Sequence, residues 1–359
     1  GGNTGSTLTY EITVTDVDEF DVSTPTDSNS GSNTVAENAA DNAAVGITAS
    51  ASDSDGTTNT ITYSMVISTS ACSGWFDIGS SDGIVRVDGS GELDYETVTS
   101  CAVVITATSA DTSAKDLSTS ISITDINDQT PAATVAATYS VAENVATVAS
   151  ITVTDTDTTG TLACSVAGTD SSLFTCSVSS GTATLAFANA PNFESAGDSG
   201  GNNVYDITVT FTDGTNTLGA QTTAITVTDA NEAPSITSTA VTSATEDSAY
   251  SYTVQSSDPD DGDPHSNTVT ITCTTGCSSG AWLSVSGSVL SGTPGDDEVG
   301  SYSVVLTASD GSLSSTQSFS ITVTNVNDAG SVALSGTVAE DSQLTATPSD
   351  DDNDGVLDV

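Results

Sequence analysis

The stretch Thr124-Asp-Ile-Asn-Asp-Gln-Thr-Pro131 places four oxygen-bearing side chains within five residues and closes with a proline. Related stretches begin at Thr15 (TDVDEFDV), Thr228 (TDANEAP) and Thr324 (TNVNDAG). An alternating apolar run typical of a β-strand precedes these stretches, as in residues 121–124. A strand that ends in hard oxygen ligands, about once per hundred residues, indicates a calcium site at each junction between strand-built domains.

The composition is strongly acidic. Among 359 residues, lysine and arginine number two against 48 aspartates and glutamates, which gives a net charge of −46. Such a chain cannot neutralise phosphates, which excludes nucleic acid as a partner, and an anionic membrane surface repels it. Like charges at this density also destabilise a compact state. Divalent cations reverse that repulsion, so we expect a protein that is stiff in calcium and loose without it.

Strand-forming residues and turn formers dominate the rest of the chain, which favours strands over helices. Disorder is the alternative for so charged a chain, but the alternation of β-branched residues is too regular for it. No run of 18 apolar residues is present, so we predict no transmembrane helix in this segment.

Two sequence markers recur with the same period. The glutamates of a Val-Ala-Glu-like opening motif stand at positions 37, 143, 246 and 340, and the closing acidic motifs start at 16, 125, 229 and 325. A period of about a hundred residues indicates tandem domains rather than a short-repeat solenoid. Short alternating strands with Gly, Asp and Ser turns are typical of β-sandwiches.

These markers predict five segments. Residues 1–23 are read as the terminal strand and linker of an incomplete domain, with Tyr10, Ile12 and Val14 on one face of the strand. The segments that follow are complete domains at 24–131 and 132–234, a variant domain at 235–328, and the start of a further incomplete domain at 329–359.

The six cysteines fall two to a domain, as Cys72 with Cys101, Cys164 with Cys176 and Cys273 with Cys277. Fifteen pairings are formally possible, and the within-domain pairing needs no long-range coincidence. We therefore predict three disulfides and an oxidising, extracellular location. A zinc site is the weaker alternative, because Cys-x3-Cys occurs once and His265 is the only histidine.

The order of motifs in residues 24–131 resembles the cadherin repeat: a glutamate at 37, Asp-x-Asp at 53–55, Leu-Asp-Tyr-Glu at 93–96, Asp111 and Asp-x-Asn-Asp at 125–128. The resemblance implies an all-β protein of tandem cadherin-like or immunoglobulin-like β-sandwich domains in a linear rod. The variant domain, with Gly-Thr-Pro at 292–294, looks more like bacterial cadherin-like and immunoglobulin-like relatives. The resemblance covers nearly the whole chain.

The resemblance also implies that each junction draws calcium ligands from both neighbouring domains. The first junction would use Asp16, Asp18, Glu19, Asp53, Asp55 and Asp111. The second would use Glu37, Asp94, Glu96, Asp125, Asn127, Asp128, Asp155, Asp157 and Asp213. The third would use Glu143, Asn192, Glu194, Asp229, Asn231, Glu232, Asp258, Asp260 and Asp310. The last would use Glu246, Asn327, Asp328, Asp350 and Asp352, and the run 350–354 could instead be a self-contained calcium loop.

The leading functional hypothesis is a calcium-stiffened extracellular rod, a segment of a cell-surface adhesin or filament. The alternative is a module that binds a glycan or a protein, although aromatic residues are only 5% of the chain and scattered. We predict no enzyme, because one histidine and one lysine leave almost no nucleophile–base pair, and a carboxylate pair acting on glycosides is a remote third option. Expected partners are neighbouring domains or subunits of the same protein, including head-to-tail contacts through the terminal segments.

Overall fold

The computed structural model describes residues 1–2, 4–15, 17, 19–55, 59–89, 93–262, 265, 267–278, 280–327 and 331–349. The protein is nearly all β. Within this described part, helical backbone is limited to three single 3₁₀ turns at Ser70–Cys72, Ser171–Leu173 and Asp296–Glu298. The described chain contains no helix long and apolar enough to cross a lipid bilayer.

The chain divides into two compact units. The first comprises Gly1–Ala137, Ala149–Ala186 and Asp206–Thr223, and the second comprises Thr138–Val148, Phe187–Tyr205 and Ala224–Val359. The strands of residues 132–234 therefore contribute to both units, and the pairings given below lie within one unit or the other.

Residues 24–131 form two four-stranded sheets. Their strands are β1 (Thr26–Asp27), β2 (Thr34–Ala36), β3 (Ala44–Ser50), β4 (Ile61–Ile67), β5 (Phe76–Ile78), β6 (Ile84–Val87), β7 (Ser100–Ser109) and β8 (Ala114–Thr124). One sheet has the order β1-β3-β6-β5 and the other β2-β8-β7-β4. Only β2–β8 is parallel among the strand pairs resolved here; the neighbouring pairs are antiparallel.

Period-two alternation builds the core of these sheets. Along β7, buried and more exposed residues alternate, so that Val103, Ile105 and Ala107 face inward at 0–1% exposure. Val103 and Ile105 pack with Ile47 from β3 and with Trp75 in one apolar cluster. Burial of each large aliphatic side chain contributes about 1.5–3 kcal/mol.

Residues 132–234 repeat the strand sequence. The strands are β9 (Ala132–Ala133), β10 (Thr138–Ala142), β11 (Thr147–Thr154), β12 (Ala163–Ala167), β13 (Phe174–Ser179), β14 (Thr182–Phe187), β15 (Val204–Thr212) and β16 (Gln221–Thr228). In the first unit, β9 pairs antiparallel with β11 and β12 with β15. In the second unit, β10 pairs parallel with β16, which repeats the β2–β8 arrangement.

Residues 235–327 form three sheets within the second unit. The strands are β17 (Ser235–Ile236), β18 (Ser243–Thr245), β19 (Tyr250–Thr253), β20 (Ser256–Ser257), β21 (Thr270–Thr275), β22 (Leu283–Ser286), β23 (Val289–Gly292), β24 (Gly300–Ser309) and β25 (Ser314–Thr324). The sheet orders are β18-β25-β24-β21, β19-β23-β22 and β17-β20. Leu290, Leu306 and Ile321 are fully buried in the core.

Both ends of the described chain expose apolar side chains. The hairpin of β26 (Ser331–Ser335) and β27 (Thr345–Ser349) leaves Leu334 71% exposed. The segment predicted as a strand around Tyr10, Ile12 and Val14 is not assigned as a strand, and these side chains are 80–88% exposed. Alternation marks a strand face, but a strand forms only where a hydrogen-bonding neighbour exists, which explains the difference.

The three predicted disulfides are confirmed. The structure links Cys72 to Cys101, Cys164 to Cys176 and Cys273 to Cys277. The first lies in the core, where both cysteines are 0% exposed.

Candidate metal centres

The parallel pairing of the second and last strands of each repeat positions a buried glutamate. Immediately after the second strand, the glutamate N–H donates a hydrogen bond to the carbonyl of the threonine that ends the last strand. This bond recurs as Glu37 to Thr124 (3.2 Å), Glu143 to Thr228 (2.9 Å) and Glu246 to Thr324 (3.1 Å). The acidic linker begins at the next residue, so the glutamate carboxylate lies at the base of that linker.

The Glu37 carboxylate accepts hydrogen bonds from two separate segments at the base of the linker. Its Oε1 accepts a hydrogen bond from the Ile126 N–H of the linker at 2.8 Å, and its Oε2 accepts one from the Tyr95 N–H at 2.7 Å. The residue is 6% exposed. Glu37 therefore acts as a structural anchor as well as a candidate ligand.

Glu143 makes the same two bonds in the next repeat. Its Oε1 accepts from the Ala230 N–H and its Oε2 from the Phe193 N–H, both at 2.9 Å. This repetition shows that the two repeats share a local structure and not only a sequence motif.

Glu246 accepts only the first of these two hydrogen bonds within the described part of the chain. Its Oε1 accepts a hydrogen bond from the Val326 N–H of the linker, but its Oε2 is buried without a hydrogen-bond partner among the described residues. The Gly-Thr-Pro turn stands where the other repeats supply the second N–H. Of the remaining predicted ligands here, Asn327 is exposed. Five predicted ligands lie outside the described residues: Asp16, Asp18, Asp328, Asp350 and Asp352.

The first acidic cluster consists of Asp53, Asp55 and Asp111, each offering one carboxylate oxygen within 4.8 Å of the others. The backbone N–H of Glu19 donates to Asp55 at 3.2 Å, which brings the preceding linker to the cluster. The hydroxyl of Ser109 and the N–H of Asp55 donate hydrogen bonds to Asp53 and lower its pKa. These two hydrogen bonds therefore favour the ionised form of Asp53.

The second acidic cluster consists of two sets that share Glu96. Carboxylate oxygens of Glu37, Glu96 and Asp125 lie within 4.8 Å of one another, and so do those of Glu96, Asp128 and Asp157. Burial, followed by the negative charges of Glu37, Asp157 and Asp125, raises the pKa of Glu96 to about 7. Without a cation, the Glu96 charge is thus unfavourable at neutral pH.

A short loop supplies Asp155 and Asp157 to this cluster. The Oδ1 of Asp155 accepts the N–H of Asp157 at 3.3 Å, and the Oδ2 of Asp157 accepts the N–H of Gln129 at 2.9 Å. Burial raises the pKa of Asp157, and the nearby carboxylates of Asp155 and Asp125 raise it further. Each of these two aspartates keeps its other oxygen for the cluster.

The third acidic cluster also has two sets. One joins Glu143, Glu194 and Asp229, and the other joins Asp229, Asp260 and the imidazole of His265, in each case with ligand atoms within 4.8 Å. The N–H of Glu232 donates to Asp260 Oδ2 at 2.8 Å, as Gln129 does to the aspartate in the second cluster.

Two further carboxylates beside the third acidic cluster, those of Asp258 and Glu232, are destabilised as anions. Burial raises the pKa of Asp258, and the charges of Asp260 and Asp310 add to the rise. Burial likewise raises the pKa of Glu232, although the Asn144 side chain donates a hydrogen bond to its Oε1 at 2.5 Å. As in the second cluster, burial is the main cause of these raised pKa values, and neighbouring negative charges add to it.

Asp213 holds a turn beside the second cluster. Burial alone would raise its pKa, but the backbone N–H groups of Asn216 and Thr215, each 2.7 Å from Oδ1, outweigh burial and lower the pKa. The Asn216 side chain donates to Asn127 Oδ1 at 2.9 Å, which orients this predicted ligand.

Asp310 has the same role in the third repeat. Backbone N–H groups of Leu313 and Ser312 donate to its Oδ1 and lower its pKa, and the Asn231 side chain donates to its Oδ2 at 2.8 Å.

Two predicted ligands are engaged in local caps. Both oxygens of Asp94 accept hydrogen bonds from Thr97, its side chain at 2.7 Å and its N–H at 2.9 Å, and these bonds lower the Asp94 pKa. Asn192 Oδ1 accepts the Ser195 N–H at 2.6 Å in the same way. The cap explains why an amide replaces the acid at this position without loss of the turn.

The clusters contain many buried oxygens that accept no hydrogen bond from the residues that the structure describes. Within the described ranges, twelve buried carboxylate oxygens lack a hydrogen-bond partner. They belong to Asp53, Asp55, Glu96, Asp111, Asp125, Asp155, Asp157, Asp229, Glu232, Glu246, Asp258 and Asp260. All twelve residues belong to the set predicted from the sequence. A buried, unpaired carboxylate oxygen costs at least about 1–3 kcal/mol, and a bound cation would offset that cost.

Sequence reasoning missed several polar residues that support the clusters. Gln129, Asn144, Thr158, Asn216 and His265 each contact a predicted ligand. None of the five carries a carboxylate, so the acidic pattern did not identify them.

The chain is similar to one family model and to several solved structures. Residues 233–324 match the family model described as "Putative Ig domain". The human desmocollin-1 ectodomain is 15% identical and aligns over 92% of this chain and 67% of its own, with a TM-score of 0.50. Extracellular cadherin domains 1–5 of protocadherin gamma B2 are 21% identical over 88% of this chain and 62% of theirs, with a TM-score of 0.47. EC22-24 of mouse cadherin-23 is 19% identical and aligns over 84% of this chain and 99% of its own, with a TM-score of 0.42.

The likeness to the desmocollin-1 ectodomain shows that the chain has a cadherin-like β-sandwich fold, which confirms the all-β, β-sandwich part of the predicted fold class. This chain spans about two thirds of the length of the desmocollin-1 and protocadherin ectodomains. No curated protein sequence matches it.

Proposed function

We propose that the acidic clusters are calcium sites. The observation that carries this proposal is the set of twelve buried, unpartnered carboxylate oxygens, all of which belong to the motif residues at the repeat boundaries. Calcium takes six to eight oxygen ligands and accepts carboxylates, amide carbonyls and backbone carbonyls. The donor sets of the clusters fit that requirement, since they combine carboxylates with the amide oxygens of Asn127 and Asn231.

The residues that would hold calcium are those of the four predicted sets. At the second and third boundaries, the contacts described above already gather most of them. At the first, Asp53, Asp55 and Asp111 are gathered. Asp16, Asp18 and Glu19 complete the proposed set. At the last, Glu246 is the buried member.

Bound calcium would supply positive charge where the chain concentrates negative charge. Two carboxylates whose oxygens are about 4.8 Å apart repel by about 1 kcal/mol in water and by several times more in a partly buried site. The chain has a net charge of −46 and contains two basic residues to offset it. We therefore propose that the segments around each cluster are ordered by calcium and loosen when it is removed.

The proposed role of the whole chain is mechanical. Cadherin-like repeats with calcium-dependent boundaries would form a stiff extracellular segment of a cell-surface adhesin or filament, with neighbouring domains or subunits as partners. Three disulfides support an oxidising, extracellular setting. The fold comparison supports an adhesion or structural module.

Small-angle X-ray scattering and limited proteolysis of the full chain, in calcium and in EDTA, test this role together. We expect EDTA to broaden the distribution of molecular dimensions and to open cleavage sites at the repeat boundaries, because the uncompensated carboxylates repel. Magnesium at equal ionic strength is the control for simple screening. Identical scattering and cleavage in calcium and EDTA would contradict the proposal.

A further inference from the structure

The third acidic cluster differs from the others in that it contains a nitrogen ligand. The Nδ1 of His265 lies 2.8 Å from Asp229 Oδ2. A ligand atom from each of Asp229, Asp260 and His265 falls within 4.8 Å of the other two. Two atoms at 2.8 Å share a hydrogen bond when no metal is bound. Tetrahedral bonds of about 2.0–2.2 Å hold ligand atoms about 3.3–3.6 Å apart, so the two side chains would separate by about 0.5–0.8 Å to bind one small cation.

Two unpartnered carboxylate oxygens support a cation at this point. The Asp229 side chain is 7% exposed and Asp260 is 1% exposed. The Oδ1 atoms of both are buried and have no hydrogen-bond partner in the part of the chain that the structure describes. The His265 side chain is 43% exposed, so it lies on the solvent side of two buried acids.

The corresponding place in the second cluster has no imidazole. There, the N–H and hydroxyl of Thr158 both donate to Asp125 Oδ2, the N–H at 2.5 Å. Asp125 and Asp229 occupy the same motif position, so the histidine is a local feature of the third cluster and not a property of the repeat.

We propose that Asp229, Asp260 and His265 form a site for a divalent transition-metal ion of the zinc class. Calcium selects oxygen ligands, whereas imidazole together with carboxylate suits zinc, copper and nickel. This inference rests on the proposed function in one respect, because the same cluster is proposed to hold calcium. The third boundary would then respond to two kinds of cation, and the second to calcium alone.

The test follows the ring resonances of the only histidine by NMR in the full, untagged chain. Zinc chloride is added first to the chain in saturating calcium and then to the chain in calcium-free buffer. We expect the His265 signals to shift on addition of zinc. We also expect His265→Gln to weaken zinc binding, measured by calorimetry, at least about tenfold, because loss of even an outer ligand contact costs that much.

Asp261→Asn is the matched control, since it removes one charge from the exposed residue next to Asp260 and leaves the three ligands in place. This variant should bind zinc within about twofold of the parent chain. Unshifted histidine signals, or equal zinc affinity of the parent and His265→Gln, would overturn the proposal.

The calcium-induced rise in melting temperature, measured on the parent and on His265→Gln, reads out the proposed function separately. If neither chain gains stability in calcium but zinc still shifts the histidine signals, the calcium proposal fails and the zinc site stands. If the parent and His265→Gln both gain stability in calcium and zinc does not shift the histidine signals, the zinc proposal fails and the calcium proposal stands.

Discussion

Replacement of Glu96 by glutamine should change stability in opposite directions with and without calcium. Glu96 has an oxygen within 4.8 Å of oxygens from Glu37 and Asp125, and a second such set joins it to Asp128 and Asp157. At about 4.8 Å, each negative neighbour costs about 0.9 kcal/mol at a dielectric constant of 80 and about 3.5 kcal/mol at 20. Glu96 is partly exposed, so the lower value applies, and its four negative neighbours together cost about 3.6 kcal/mol before screening. Solvent and mobile ions screen roughly half of this cost for an exposed group, so removal of its charge should relieve about 1–2 kcal/mol.

This relief should raise the melting temperature of Glu96→Gln in EDTA at pH 8 by about 2–8 °C, given about 2–4 °C per kcal/mol for units of this size. In saturating calcium the same variant has one charged ligand fewer, so its melting temperature should fall below that of the parent. Differential scanning calorimetry in both buffers measures the two shifts.

The pH dependence of the EDTA result follows from the raised pKa of Glu96. A carboxyl whose folded-state pKa is about 7, against an ordinary 4.5, contributes stability that is complete below pH 4.5 and is lost as pH rises through 7. The advantage of Glu96→Gln should therefore be absent near pH 4.5 and complete at pH 8.

Glu11→Gln is the control, because it removes the same charge from an exposed residue outside the clusters. It should leave the melting temperature unchanged within about 1 °C in either buffer. A Glu96→Gln chain that is less stable than the parent in EDTA at pH 8 would refute the repulsion argument.

Three further predictions concern stability in urea. Glu143→Ala should lower the free energy of unfolding by about 2–4 kcal/mol even in EDTA, because it leaves the N–H groups of two residues unpaired. Loss of the Cys72–Cys101 disulfide should lower the free energy of unfolding by about 3–4 kcal/mol, and loss of Cys273–Cys277 by about 2 kcal/mol. The first disulfide closes the longer loop, and equal losses would contradict this prediction. Leu306→Ala should cost about 2–5 kcal/mol in calcium and in EDTA alike, because its cavity lies in the core.

The fold and the composition of the clusters could be predicted because both depend on position within a strand. Period two determines which side chains of β7 enter the core, and the last residue of β8 determines where the linker starts. Glu37 follows the strand that pairs with β8, so its place at the base of the linker follows from register alone.

The supporting contacts could not be predicted because they depend on loop conformation. Thr158 reaches Asp125, and Asn216 reaches Asn127, across 33 and 89 residues of sequence. No acidic pattern marks either residue. His265 was noted only as a lone histidine, and its contact with an acid 36 residues away is visible in the structure alone.

The measurement that tests the central claim most directly is anomalous X-ray scattering from crystals of the full chain grown in calcium. The account predicts anomalous peaks at the first, second and third clusters, within about 2.3–2.6 Å of carboxylate oxygens of residues such as Asp55, Glu96 and Asp157. Well-ordered clusters without such peaks, in crystals saturated with calcium, would contradict it.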